Sequence, residues 1–173
     1  MTGVVFTGGE KMAQVKYCLQ CGHELSLMKI DGKDYLACSA KNCGYVYWDN
    51  PLTVVAAIVE HKGTVLLARN KAWSHKMFGL ITGFLEKGES PENAVLREVK
   101  EELSLDAKLV SMIGIYPFLE RNQLIIAYHL SAEGEIKMGE ELAEVISVPP
   151  EKVRPWNSGT GPAIKDWLEK RGF

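Results

Sequence analysis

Glu98, Glu101 and Glu102 stand at positions i, i+3 and i+4 of one segment, a spacing that sets three carboxylates on one face of a helix. Like charges so placed repel one another, and Arg97 is the adjacent counter-charge. A divalent cation would supply the missing positive charge. Donors that are all carboxylate select a hard ion such as Mg²⁺ or Mn²⁺.

A second set of chemistry-bearing residues lies nearer the amino end. Cys18 and Cys21 form a C-x2-C pair and Cys38 and Cys43 a C-x4-C pair, with sixteen residues between the pairs. Leu25, Leu27, Ile30, Tyr35 and Leu36 are the apolar members of the intervening segment, and Asp31-Gly32 is its turn. The pattern describes a zinc ribbon, whose four thiolates close a tetrahedral site and leave no open position, so the Zn²⁺ is structural. The competing readings are two disulfides, which an intracellular setting disfavours, and a redox-active C-x2-C, which the second pair disfavours. His23 reads as a solvated knuckle residue, because four cysteines already complete the shell.

The elements that must position the carboxylates are also legible. Ser90 followed by Pro91 is an N-cap and a first helical residue, so the sequence predicts a helix over 91–103 with Ala94, Val95, Val99 and Leu103 as its apolar stripe. Met77 to Phe84 leads into the preceding loop, where Gly79, Gly83 and Gly88 permit close backbone approach. Upstream, Leu52–Glu60 and Thr64–Arg69 read as a β-hairpin turning at 61–63, its first strand apolar on both faces. Downstream, strands are predicted over 107–116, 123–132 and 144–148, a loop over 133–141, and a last helix over 162–170. This order predicts an α/β/α sandwich on a mixed sheet. Tyr45, Tyr47 and Trp48 either pack the joint between ribbon and main domain or offer a stacking surface for a base. Residues 70–76 read as an exposed loop, from which Trp73, His75 and Lys76 are candidates to approach a phosphate.

The chain therefore divides into a lead-in at 1–16, a ribbon at 17–48 and a main domain at 49–173. Its 173 residues, 46% hydrophobic and 24% charged, are those of an ordinary globular protein. A net charge of −2 gives no general attraction to nucleic acid. The longest apolar run, Leu52–Val59, is too short to span a bilayer. With no signal-peptide core in 1–16, a soluble, cytoplasmic protein is expected; Met12 is an alternative start.

Residues 83–105 resemble the Nudix box: Gly83, Glu89, Arg97, Glu98, Val99, Glu101, Glu102 and Leu105 match at the family's spacing, and Ser104 replaces the usual glycine. That glycine caps the helix in a left-handed conformation, so a serine there should cost about 1 kcal/mol. The resemblance implies hydrolysis of a nucleoside diphosphate linked to another moiety. It implies that Glu98, Glu101 and Glu102 hold Mg²⁺ or Mn²⁺ with the Gly83 carbonyl, and that Arg97 pairs with Glu101 or Glu89. Glu144 is the candidate for a general base from a later loop. With the ribbon in front, residues 17–170 look like the NADH pyrophosphatase branch, which implies a homodimer and Phe84 stacking on adenine. That branch has a signature Ser-Gln-Pro-Trp-Pro-Phe-Pro-x-Ser after the box, and this chain keeps Pro117-Phe118 with Tyr116 for the tryptophan. Tyr116 and Phe118 are thus the expected substrate-choosing residues. The readings to separate are a pyrophosphatase for NADH, ADP-ribose or FAD, removal of an NAD cap from RNA, and a non-catalytic nucleotide sensor.

Overall fold

The computed structural model describes residues 15–73 and 77–172, which fall into two compact units divided between Asn50 and Pro51. The first is a three-stranded antiparallel sheet of β1 (Leu25–Ile30), β2 (Lys33–Cys38) and β3 (Val46–Tyr47), in that order. Asp31 and Gly32 both have positive φ, at 49° and 82°, and Ile30 pairs with Lys33, as a two-residue turn of the right twist requires. Leu25 is buried with Cys18 and Cys38, but Leu27, expected among the apolar members, is 71% exposed. The third strand was not foreseen; it draws Tyr45 and Tyr47 against the small core. Tyr35 meets Trp48 edge to face at 5.1 Å, and Trp48 remains 52% exposed.

The second unit is a mixed sheet in the order β7-β8-β4-β5-β9, with β6 paired to β4, carrying one helix on each face. Its strands are β4 (Leu52–His61), β5 (Thr64–Asn70), β6 (Ile81–Phe84), β7 (Asp106–Phe118), β8 (Gln123–Glu133) and β9 (Leu142–Val148); its helices are α1 (Pro91–Leu103) and α2 (Gly161–Lys170). β4 runs parallel to β8 and antiparallel to β5 and β6. Its apolar run is buried on both faces: Val55, Ala57 and Val59 enter the layer under α1, and Val54, Ala56 and Ile58 the layer under α2. Each buried valine or isoleucine contributes roughly 1.5–3 kcal/mol, so this strand anchors both layers.

The α1 stripe is buried as predicted, and Ser90 Oγ accepts from the Asn93 N–H at 3.3 Å. The β4–β5 turn is tighter than read, with His61 paired to Thr64 and only Lys62 and Gly63 between them. β6 is the main element missed, since Gly83 inside a four-residue strand weakens its pattern.

Candidate active site and metal sites

Helix α1 presents its carboxylates because its apolar face is held down beside β6. The Glu98 carboxylate lies where a Cβ at Gly83 would stand, so any other residue at 83 would displace it. Arg97 gathers the rest of the cluster. Its Nη2 and Nε donate to the two oxygens of Glu89 at 2.8 and 3.1 Å, a bidentate pair. Its Nη1 donates to Glu98 at 2.7 Å and to Glu101 at 3.1 Å, and Nη2 also reaches the Phe84 carbonyl at 3.2 Å. The two expected partners, Glu101 and Glu89, are thus both engaged, and Glu98 with them. Glu89 in turn accepts from the Glu86 N–H at 2.8 Å, fixing the loop before the helix.

The carboxyl end of α1 is clamped from the other side. Ser104 takes φ 57°, the left-handed cap expected at this position, and its N–H donates to the Lys100 carbonyl. The Gly139 N–H donates to the Glu102 carbonyl at 2.8 Å and the Lys137 N–H to that of Leu103 at 2.9 Å, so the loop after β8 is bound to the helix end. Gly139 stands so close to the Glu101 carbonyl that a Cβ would come within 2.9 Å of it.

These contacts leave one guanidinium among several partly buried carboxylates. Arg97's hydrogen bonds hold Glu89 below the ordinary carboxylate range. Burial pushes Glu98 upward against the pull of Arg97. Burial, followed by the charges of Glu98, Glu141 and Glu101, pushes Glu102 up to about 8. An oxygen-only donor set with this excess of negative charge, and a glycine that admits Glu98 to the strand, suits a hard divalent cation. Glu98 and Glu101 each direct an oxygen at Arg97. Glu101, 60% exposed, is the member most free to turn, whereas Glu98 is 13% exposed.

The cysteines are arranged differently. Their four sulfurs lie within 4.8 Å of one another, with Cys18 and Cys43 at 3.5 Å and Cys21 and Cys38 at 3.4 Å, and none is in a disulfide. A tetrahedron of thiolates about Zn²⁺ has sulfurs roughly 3.8 Å apart, so the residues fit the ion. The Gln20 N–H points at Cys18 Sγ from 3.4 Å, and His23 Nδ1 stands 3.7 Å from Cys21 Sγ, beside the shell.

The other sequence-predicted residues are placed as follows. Phe84 pairs with Val54, which pairs with Ile125, which pairs with Tyr116, so Phe84 and Tyr116 end one row across the sheet. Phe84 is half exposed, at 52%. Tyr116 donates its hydroxyl to Asp166 at 2.6 Å and, like Phe118, packs in the layer under α2, away from the α1 side. Burial first, then Asp166, raises the Tyr116 pKa. Phe118 lies against Gly159, with Arg121 5.8 Å above its ring.

Glu144, the candidate base, is not brought to the carboxylates. It lies on β9 opposite Arg69 and pairs with it at 3.2 Å. The acidic residue that does act on Glu102 is Glu141, three positions earlier. Its surroundings are polar: Asn70 Nδ2 stands 3.5 Å from its Oε2, and the Lys71 N–H donates to its carbonyl at 2.9 Å. Trp73 lies over Gly79, while His75 and Lys76 are outside the described residues.

The NUDIX domain model matches residues 49–168. The chain belongs to the Nudix family. It is 29% identical over 123 residues to the NAD-capped RNA hydrolase NudC of Pectobacterium carotovorum, covering 70% of this chain and 46% of that one. The chain therefore spans less than half the length of that relative. It is 35% identical over 106 residues to the ADP-ribose pyrophosphatase of Methanocaldococcus jannaschii, covering 58% of this chain and 63% of that one. A Nudix hydrolase from Nitrosomonas europaea superposes with a TM-score of 0.77 at 24% identity, over 91% of this chain and 93% of the other. That likeness shows the shared Nudix fold. No helix among the described residues is long and apolar enough to cross a membrane.

Proposed function

We propose that this Nudix chain hydrolyses the diphosphate linkage of a nucleoside diphosphate derivative of the NADH, ADP-ribose or FAD type. The observation that carries this reading is the Arg97 network, which keeps Glu98 against Gly83 beside a Glu102 whose pKa is about 8. Glu98, Glu101 and Glu102, with the Gly83 carbonyl, would hold Mg²⁺ or Mn²⁺. When bound, such an ion neutralises charge growing on the phosphoryl oxygens and acidifies a water. Arg97 keeps the carboxylates in register, and Glu101, being exposed, would be free to leave it and join the residues that hold the ion. Glu141 takes the proton from the attacking water as the water oxygen bonds to one phosphorus and the bridging P–O bond breaks, leaving two monophosphates. This assigns to Glu141 the role that the sequence suggested for Glu144. Phe84, open on the far face of β6, offers a ring for a base. The four cysteines hold one structural Zn²⁺.

The match to NudC supports a second reading, in which the diphosphate belongs to an NAD cap on RNA. The chemistry is the same and the substrate larger. A panel of NADH, ADP-ribose, FAD and NAD-capped RNA, with Mg²⁺ and Mn²⁺ and both products identified, separates the two. Faster cleavage of capped RNA than of every free dinucleotide would favour the second, and no cleavage of any would remove both.

A further inference from the structure

Arg69 ends the regular part of β5, at the irregularity between Arg69 and Asn70. Leu67 belongs to the layer under α2 and Ala68 to the layer under α1, so alternation directs Arg69 to the α2 face, the face that Phe84 also takes. Two features of its guanidinium are unusual. Its one ion pair among the described residues is a single 3.2 Å contact with Glu144, whose side chain is 51% exposed. Its Nε is buried without a hydrogen-bond partner, the one such side-chain nitrogen or oxygen found among the described residues. A buried donor left unsatisfied on a charged group is costly, and fixed arginine forks are suited to paired phosphate oxygens.

The neighbouring residue connects this fork to the acidic cluster. Asn70 Nδ2 stands 3.5 Å from Glu141, and Glu141 is one of the charges that raise Glu102. Adjacent strand residues point to opposite faces, so Arg69 stands on the α2 side of a strand end whose α1 side carries Asn70, beside Glu141. A diphosphate carries two anionic centres, and a cation held by the carboxylates would leave negative charge for a cationic side chain to meet.

We propose that Arg69 receives the substrate phosphate that the divalent cation does not hold, and that Glu144 occupies this place until substrate displaces it. This rests on the pyrophosphatase reading above. Glu144 then acts as a competitor for the anion site, and its removal has the opposite effect from removal of Arg69.

The test uses the whole chain with ADP-ribose and Mg²⁺. Arg69→Met is expected to raise KM about ten- to hundredfold, Arg69→Lys to recover part of that loss, and Glu144→Gln to lower KM. A merely structural ion pair would move both single variants in the same direction, which would overturn the proposal. So would an unchanged KM in Arg69→Met, or a large fall in kcat in Glu144→Gln, the mark of a base. Thermal melts of each variant check folding. Calorimetric titration with inorganic pyrophosphate, without metal, reads the site apart from turnover. Binding by the parent chain that Arg69→Met loses supports the anion site even if no dinucleotide is cleaved, a result that would sink the hydrolase reading alone. Equal binding by both would overturn the anion site.

Discussion

The two candidate metal sites solve opposite problems. The four sulfurs of the ribbon lie within 4.8 Å of one another, while Glu98 and Glu101 of α1 are gathered on a shared arginine. In the ribbon, two tight turns bring soft donors together, and an ion there would take the place that a hydrophobic core fills in a larger unit. In the Nudix unit the core is complete without any ion, because α1 is buried through Ala94, Val95, Val99 and Leu103. Its carboxylates can therefore remain mutually repelled, with the Glu102 pKa pushed up to about 8. On the proposed reading one site would use metal to fold, and the other would use a fold to make metal binding favourable.

The sharpest way to break this contrast is at Glu102. Glu102→Gln should lower kcat by about 10³-fold or more and leave the melting temperature the same or higher, since it removes a repelled carboxylate. A fold lost along with activity would put the two sites in one class. Removal of zinc gives the converse result. A strong chelator should release about one Zn²⁺ per chain and unfold the first unit, seen as lost amide protection in residues 17–47, while α1 and the second sheet stay protected. Equal protection with and without chelator would show that the ribbon core suffices alone.

A gentler probe uses pH. The Glu102 pKa is raised in the folded chain to about 8, so its neutral form favours folding. That contribution is fully present below the ordinary carboxylate range and is lost as pH rises toward 8. The metal-free protein should lose stability over this window, and the gain in melting temperature on adding Mg²⁺ should grow from pH 5 to pH 8. The gain would be flat if Glu102 were ionised throughout.

How legible these sites were depended on whether local chemistry decided the geometry. Helix α1 was readable because its cap, its proline and its stripe all lie within its own segment. The ribbon turn at Asp31-Gly32 was readable for the same reason. The face that Glu144 takes was hidden because strand parity is not local. Ala143 falls at the register shift opposite Arg69 and Asn70, so Leu142 and Val145 both join the layer under α1. Glu144 then follows Ile146 and Val148 to the other face, and Glu141 is left beside the cluster. Tyr116 was singled out by position in a motif, which could not show that its hydroxyl is bound to Asp166 on a helix fifty residues later. β6 escaped notice because the glycine that weakens it as a strand is the one that admits Glu98.

Ser104 gives the smallest test of the comparison. It adopts the left-handed conformation usually left to glycine, with φ 57°. Ser104→Gly should raise stability by about 1 kcal/mol with little change in kcat, measured by denaturant unfolding and turnover. A loss of stability would mean that the serine side chain is itself holding the end of α1.

The central strand β4 has a consequence for the making of the molecule. Leu52 pairs with Gln123 and His61 with Ala132, so β4 cannot complete its parallel ladder until β8 has left the ribosome. Until then an apolar ribbon of Val, Ala and Ile has one bare edge, the form most exposed to capture by another nascent chain. Synthesis that stalls after α1 but before β8 would yield a product with its acidic helix present and its central strand sticky. The interval between these two elements is where translation speed and chaperone access should matter most for yield.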